Sequence, residues 1–168
     1  AGVGSVSMDP TQAILSGGGL GRPITVEGES IAVAVRDLTL TEGEGVSDSL
    51  SILFEGATAG GLACNGYDLS GFETGQLPTG VSTDLDLDNL IVSGNAADNV
   101  GGVLTVGCNV TMSNSEVTGN IADFGGGIIL FDGVNTLTNV EVTSNTAEAY
   151  SAGGFAGQAL QSDVVLDE

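Results

Sequence analysis

The strongest constraint on this chain is that it matches itself when displaced by 25 residues. Segments 87–99, 112–124 and 137–149 fall into register column by column. Leu87, Met112 and Leu137 align, Asn89, Asn114 and Asn139 are identical, and so are Val92, Val117 and Val142. Ser93, Thr118 and Thr143 form a hydroxyl column. Asn95, Asn120 and Asn145 follow, then Ala97, Ala122 and Ala147, then the acidic column Asp98, Asp123 and Glu148. Each copy next reaches a glycine cluster, 101–102, 125–127 and 153–154. The third arrives two residues late, which reads as a small loop insertion in 149–152. A looser copy, Asp37-Leu38-Thr39-Leu40-Thr41, lies 52 residues before Asn89-Leu90-Ile91-Val92-Ser93, near twice the period. That spacing predicts one intervening turn containing 51–54 and a loop excursion over about 60–80, where Gly, Pro and Asn gather.

A period of this size belongs to a repeat architecture, and residue types decide which one. Helical repeats need long stretches of helix formers, whereas β-branched residues, Gly, Asn and Ser dominate here. The apolar residues come in short alternating pieces separated by Gly or Asn that tolerate positive φ. The predicted fold is therefore all-β: a parallel β-solenoid of about six coils of ~25 residues. It occupies 24–168, after a short N-terminal arm or cap over 1–23. In it Val92, Val117 and Val142 point inward and stack about 4.8 Å apart. Both Asn columns sit at corners, where Asn accepts left-handed backbone and its amide bonds the same amide in the next coil. Ile91, Glu116 and Glu141 face water.

Charge narrows the chemistry. Of 168 residues 22 are acidic and two basic, Arg22 and Arg36, with no His and no Lys, for a net charge of −20. Such a chain cannot neutralise a phosphate backbone or an anionic membrane surface, so nucleic acid and acidic lipid are excluded as partners. Without Lys or His there is no Schiff base, no Ser-His or Cys-His pair and no imidazole ligand for zinc. Positive mean hydropathy argues for a folded chain rather than a disordered acidic one, with a core of Val, Leu, Ile and Ala. No apolar run reaches the 18 residues of a membrane span. The start at Ala1, without Met or a basic-then-apolar leader, suits a mature secreted product or an excised fragment. Cys64 and Cys108 allow one disulfide or two buried thiols. Their separation of 44 is not a multiple of the period, so pairing them would require the 60–80 excursion to fold back. Asn109-Val110-Thr111 is a formal glycosylation acceptor, a triplet common by chance.

The elements Val92-Ser93-Gly94-Asn95, Val117-Thr118-Gly119-Asn120 and Val142-Thr143-Ser144-Asn145, with Gly102-Val103 and Gly126-Gly127-Ile128-Ile129, combine an Asn-ended strand with a Gly-Gly-aliphatic motif. In this the chain resembles the right-handed parallel β-helix repeats of secreted bacterial surface proteins, including the polymorphic outer-membrane-protein group. The likeness covers about 84–155 well and 24–56 loosely, and lacks the Phe that often opens the Asn motif. It implies a right-handed β-helix and an exported adhesive, structural or carbohydrate-contacting role.

Among candidate sites, Asp84, Asp86 and Asp88 alternate with Leu85 and Leu87, which places three carboxylates about 7 Å apart on one face. They read as a solvated acidic face or as a calcium site, since hard cations take carboxylate oxygens. No EF-hand pattern fits, because Asn89 and Asn95 occupy the positions that need Gly and Glu. A polysaccharide hydrolase or lyase would need two carboxylates in a cleft, for which Asp84, Asp86, Asp98 and Asp123 are available, but both arginines lie outside the best repeats. An ice-binding face would use the Ser93, Thr118, Thr143 column and the Asp86, Thr111, Thr136 column, which the Ile91, Glu116, Glu141 column interrupts. Gly17-Gly18-Gly19-Leu20-Gly21 lacks the Lys and Ser or Thr of a phosphate loop. Solenoids expose strand edges at both ends, and neither end shows an amphipathic capping helix, although Val164-Val165-Leu166 still reads as a strand. The expectation is a non-catalytic extracellular protein, a subunit or segment of a surface fibre. It would assemble head to tail and contact glycans or other cell-surface components, and would require no cofactor, with Ca2+ an optional ligand of its acidic face.

Overall fold

The computed structural model describes residues 9–28, 30–52, 56, 58–68, 79–80, 83–149, 153, 155–158 and 164–167. The ten residues 69–78 of the predicted excursion lie outside this set, as do 1–8 of the arm, Phe54, 150–152 of the loop insertion, and 159–163. Among the described residues there is no α-helix, and one 3-10 turn spans Ser49–Ile52.

The described residues are all-β, and their three larger sheets are parallel. One six-stranded sheet runs β1 (Ile14–Ser16), β3 (Ala32–Thr41), β7 (Thr83–Ser93), β10 (Cys108–Thr118), β13 (Asn135–Thr143) and β16 (Val164–Asp167). A five-stranded sheet contains β2 (Ile24–Glu27), β4 (Leu62–Asn65), β9 (Val103–Val106), β12 (Ile128–Phe131) and β15 (Phe155–Gln158). A narrow third sheet joins β8 (Ala96–Ala97), β11 (Ile121–Ala122) and β14 (Thr146–Ala147). After β7, β10 and β13 the chain visits the narrow sheet, then the five-stranded one, then returns. The register is the sequence period: Val92 pairs with Val117 and Val117 with Val142, each 25 residues on. Between β12 and β15 the offset grows to 27, as Ile128 pairs with Phe155, in keeping with the late third glycine cluster. A small antiparallel pair, β5 (Tyr67–Asp68) with β6 (Thr79–Gly80), forms the base of the excursion.

Two expectations change. The 52-residue spacing is one circuit and not two, because β3 pairs directly with β7, Leu40 against Val92. The extra length sits in two insertions within that circuit, one between Glu44 and β4 and one between β4 and β7. The first contains the 3-10 turn, where a strand-bearing turn of the repeat was expected. At the N-terminus, the stretch 1–23 is not wholly separate from the sheets, since β1 adds to the edge of the large sheet beside β3.

The core explains why the columns carry these residues. Leu40, Val92 and Val117 are fully buried, and Leu85, Leu87, Met112, Val103 and Ile128 complete an interior packed between the sheets. Each buried side chain of this size contributes about 1.5–3 kcal/mol. A second cluster lies on the outer face of the five-stranded sheet, where Leu50 of the first insertion covers Ala63, Leu104 and Val106.

Candidate functional site

The long strands do not run straight. Asp37, Asn89, Asn114 and Asn139 hold positive φ, between 48° and 56°, in the middle of β3, β7, β10 and β13. Asn and Asp tolerate this left-handed conformation better than other side chains. One such residue shifts the inward parity of the strand. Leu85 and Leu87 point inward before Asn89, then Leu90 and Val92 after it. Stacked over β7, β10 and β13, the bends form a shallow groove of about 250 Å³, lined by Pro10, Ile91, Asn114, Ser115, Glu116 and Glu141 among others. Glu116 and Glu141 are register neighbours within it. Their column was expected merely to face water, and it does so as the acidic wall of this groove, an arrangement that needs the bend, which the column alone does not reveal.

The two Asn columns differ. Asn95, Asn120 and Asn145 build the expected ladder. The Nδ2 of Asn95 donates to Oδ1 of Asn120 at 2.9 Å, and that of Asn120 to Oδ1 of Asn145 at 2.9 Å. Backbone N–H groups of Asn95 and Asn120 donate to the same oxygens, and Asn120 also reaches the carbonyl of Val92 at 2.9 Å. Asn95 and Asn120 are buried, so these bonds satisfy groups that water cannot reach. Left-handed backbone at this corner falls instead on Gly94, Gly119 and Ser144. In the other column Asn139 donates to its equivalent, Asn114, at 3.0 Å. Asn114 turns to Asp88 at 3.0 Å and Asn89 to Asp37 at 2.6 Å. Asp37 within that column and Asp88 beside it thus accept the amides of Asn89 and Asn114.

The acidic row lies on the outer face of the large sheet, as alternation requires, and each carboxylate has its own partner. Asp84 accepts from Asn109 Nδ2 at 3.0 Å, Asp86 pairs with Arg36, and Asp88 accepts from Ser113 Oγ at 2.7 Å as well as from Asn114. Ser113 and then Asn114 hold the Asp88 carboxyl below its ordinary range. The bond to Asp86 and its charge hold the Arg36 guanidinium more firmly protonated. Among the described residues no three acidic or cysteine side chains converge as a metal ion requires. Asp98 and Asp123 follow strands of the narrow sheet, whereas Asp84 and Asp86 lie on the large one. Thr118 and Thr143 hydroxyls meet at 3.3 Å, with Glu116 and Glu141 in the next column but one.

Cys64 and Cys108 are joined by a disulfide, with Cα atoms 6.4 Å apart. No fold-back of the excursion is needed. Cys64 lies in β4 of the five-stranded sheet and Cys108 opens β10 of the large one, so the bond crosses a corner between circuits rather than following a column. Residues without a repeat partner escaped the sequence reading. Arg22, its side chain fully buried, pairs with Asp48 at 2.7 Å and donates to Thr58 Oγ1 at 2.7 Å and the Ala59 carbonyl at 2.8 Å, which ties down the first insertion. Tyr67, at the base of the second, donates its hydroxyl to Asp132 and lies over Gly107, where a Cβ would approach its ring to 2.7 Å. Burial, then the bond to Asp132, push the Tyr67 hydroxyl pKa upward. The one available signal was scarcity, since one of only two cations in so acidic a chain needs a partner.

Among the described residues, no helix is long and apolar enough to cross a membrane. No protein-family model, no curated protein and no solved structure matches the chain.

Proposed function

We propose that the chain is a right-handed parallel β-helix that serves as a non-catalytic extracellular scaffold, a subunit or segment of a surface fibre assembling end to end. Right-handedness follows from the strong preference of parallel crossovers. The observation that carries the reading is where the repeated side chains form their bonds. Asn95, Asn120 and Asn145 bond one another, and Val92, Val117 and Val142 pack on one another. The columns that recur thus serve cohesion along the stack, as a stiff rod requires. The buried disulfide fits an oxidising compartment and hence a secreted protein in contact with glycans or other cell-surface components. The individually partnered acidic row we read as a solvating face. A rise in melting temperature at millimolar calcium would instead assign Asp84, Asp86 and Asp88 to a metal, and no shift removes calcium from the account.

A second reading, a carbohydrate-active β-helix enzyme, is favoured only by the groove with Glu116 and Glu141 on one wall. Electron microscopy of the purified protein separates the two. Fibres or rods of constant width are expected. Discrete monomers that cleave a glycan, with cleavage lost in Glu116→Gln or Glu141→Gln, or in Asp84→Asn or Asp123→Asn, would overturn the scaffold.

A further inference from the structure

The large sheet ends in a half-step on each side. On the N-terminal side β1 covers only Thr39–Thr41 of β3, leaving Val33–Arg36 without a strand beyond them among the described residues. On the other side β16 covers only Asn135–Thr138 of β13, leaving Glu141–Thr143 likewise without one. Burial follows these steps. Leu40, Val92 and Val117 are fully buried, but the same column ends in Leu15, 40% exposed, and in Val142, which is only partly buried. In the neighbouring inward column Val33 is half-buried, whereas its equivalent Leu85 is buried.

We propose that the two steps interlock between copies as a lap joint, in one register. Ile14, Leu15 and Ser16 of β1 in one copy pair with Glu141, Val142 and Thr143 of β13 in the next. At the same level, Val164–Asp167 of β16 pair along their free edge with Val33–Arg36 of the first copy's β3. This specifies the partner and the contact of the end-to-end assembly, and it rests on that reading.

Three features select the occupant as a second copy of this chain. First, each missing half-strand is the one the other end supplies, three residues against three and four against four. Second, each column continues in kind: Leu15 extends the interior column beyond Val142, and Ser16 extends the hydroxyl column beyond Thr143. Ile14 follows Glu141 without adding a third carboxylate to the Glu116 and Glu141 stack. Third, charge is complementary. Arg22 is buried, so Arg36, with a side chain 54% exposed, is the accessible cation, and the register sets it beside Asp167 of the neighbouring copy. The same translation places β2 of one copy beside β15 of the other, Ile24 against Phe155 through Glu27 against Gln158, so the five-stranded sheet continues too. The contact is heterologous and does not close, and so propagates.

Sedimentation velocity at physiological ionic strength first reports whether the intact chain associates. The double variant Ser16→Cys with Thr143→Cys, oxidised after assembly, is expected to give a ladder of covalent multimers on a non-reducing gel. The offset pair Ser16→Cys with Thr138→Cys is expected to give none. Arg36→Glu should weaken association about tenfold, and adding Asp167→Arg should restore it. Association without the in-register ladder, or with an equal ladder from the offset pair, overturns the lap joint and leaves end-to-end assembly standing. Absence of association in the unmodified chain overturns both.

Discussion

Asn120 shows how much one repeated side chain carries. It is fully buried, donates to the Val92 carbonyl and to Asn145, and accepts from both the backbone and the amide of Asn95. Asn120→Ala would orphan several of these groups at once, so a loss of about 3 kcal/mol is expected in denaturant unfolding. The converse holds at Thr105, buried in β9 with its hydroxyl lacking a hydrogen-bond partner among the described residues. Thr105→Val, nearly the same shape, should stabilise by about 1 kcal/mol, read as a higher melting temperature. At this scale much was legible in the sequence. Identity at Asn95, Asn120 and Asn145 and at Val92, Val117 and Val142 pointed to a ladder and an inward stack, and both are present. The glycine clusters were legible by position but for a different reason than turning freedom. Gly101 and Gly126 are close-approach sites, where a Cβ would meet the backbone of the next circuit at 2.7 and 2.5 Å. Period analysis locates such glycines but cannot say whether φ or proximity demands them.

At the scale of elements, the repeat reveals what recurs and hides what occurs once. The first circuit departs from the period because its insertions are held by singular contacts: Arg22 with Asp48 and Thr58, Leu50 on the outer face of the sheet, and Tyr67 with Asp132. None of these contacts recurs 25 positions on among the described residues, and a 52-residue circuit has about the length of two periods. The disulfide belongs to the same class, crossing a corner where no column runs. It closes a loop of 44 residues and restricts the unfolded chain accordingly, by about 4 kcal/mol at 25 °C. The double variant Cys64→Ala with Cys108→Ala should lose stability of that order in equilibrium unfolding. Loss of 1 kcal/mol or less, on the order of a single hydrogen bond, would mean the Arg22 and Tyr67 contacts already confine the insertions.

For the whole molecule the governing quantity is the charge of −20 set against regular stacking. Glu116 and Glu141 occupy adjacent strands in register, and the Asp123 N–H donates to the Asp98 carbonyl, so like charges recur on neighbouring circuits at about strand spacing. Repulsion at that distance is screened by salt. The melting temperature should therefore rise with sodium chloride, and Glu116→Gln should raise it by about 2 °C at low ionic strength but by less at high. A melting temperature that falls with salt would show that attractive pairs such as Arg36 with Asp86 outweigh the stacked carboxylates. The central claim is that coils stacked along one axis are the functional form. X-ray diffraction from aligned assemblies tests it most directly. Strands lying across the rod, joined copy to copy, predict a meridional reflection near 4.8 Å that strengthens as assembly proceeds. Assemblies lacking that meridional spacing, or showing it only on the equator, would contradict the account.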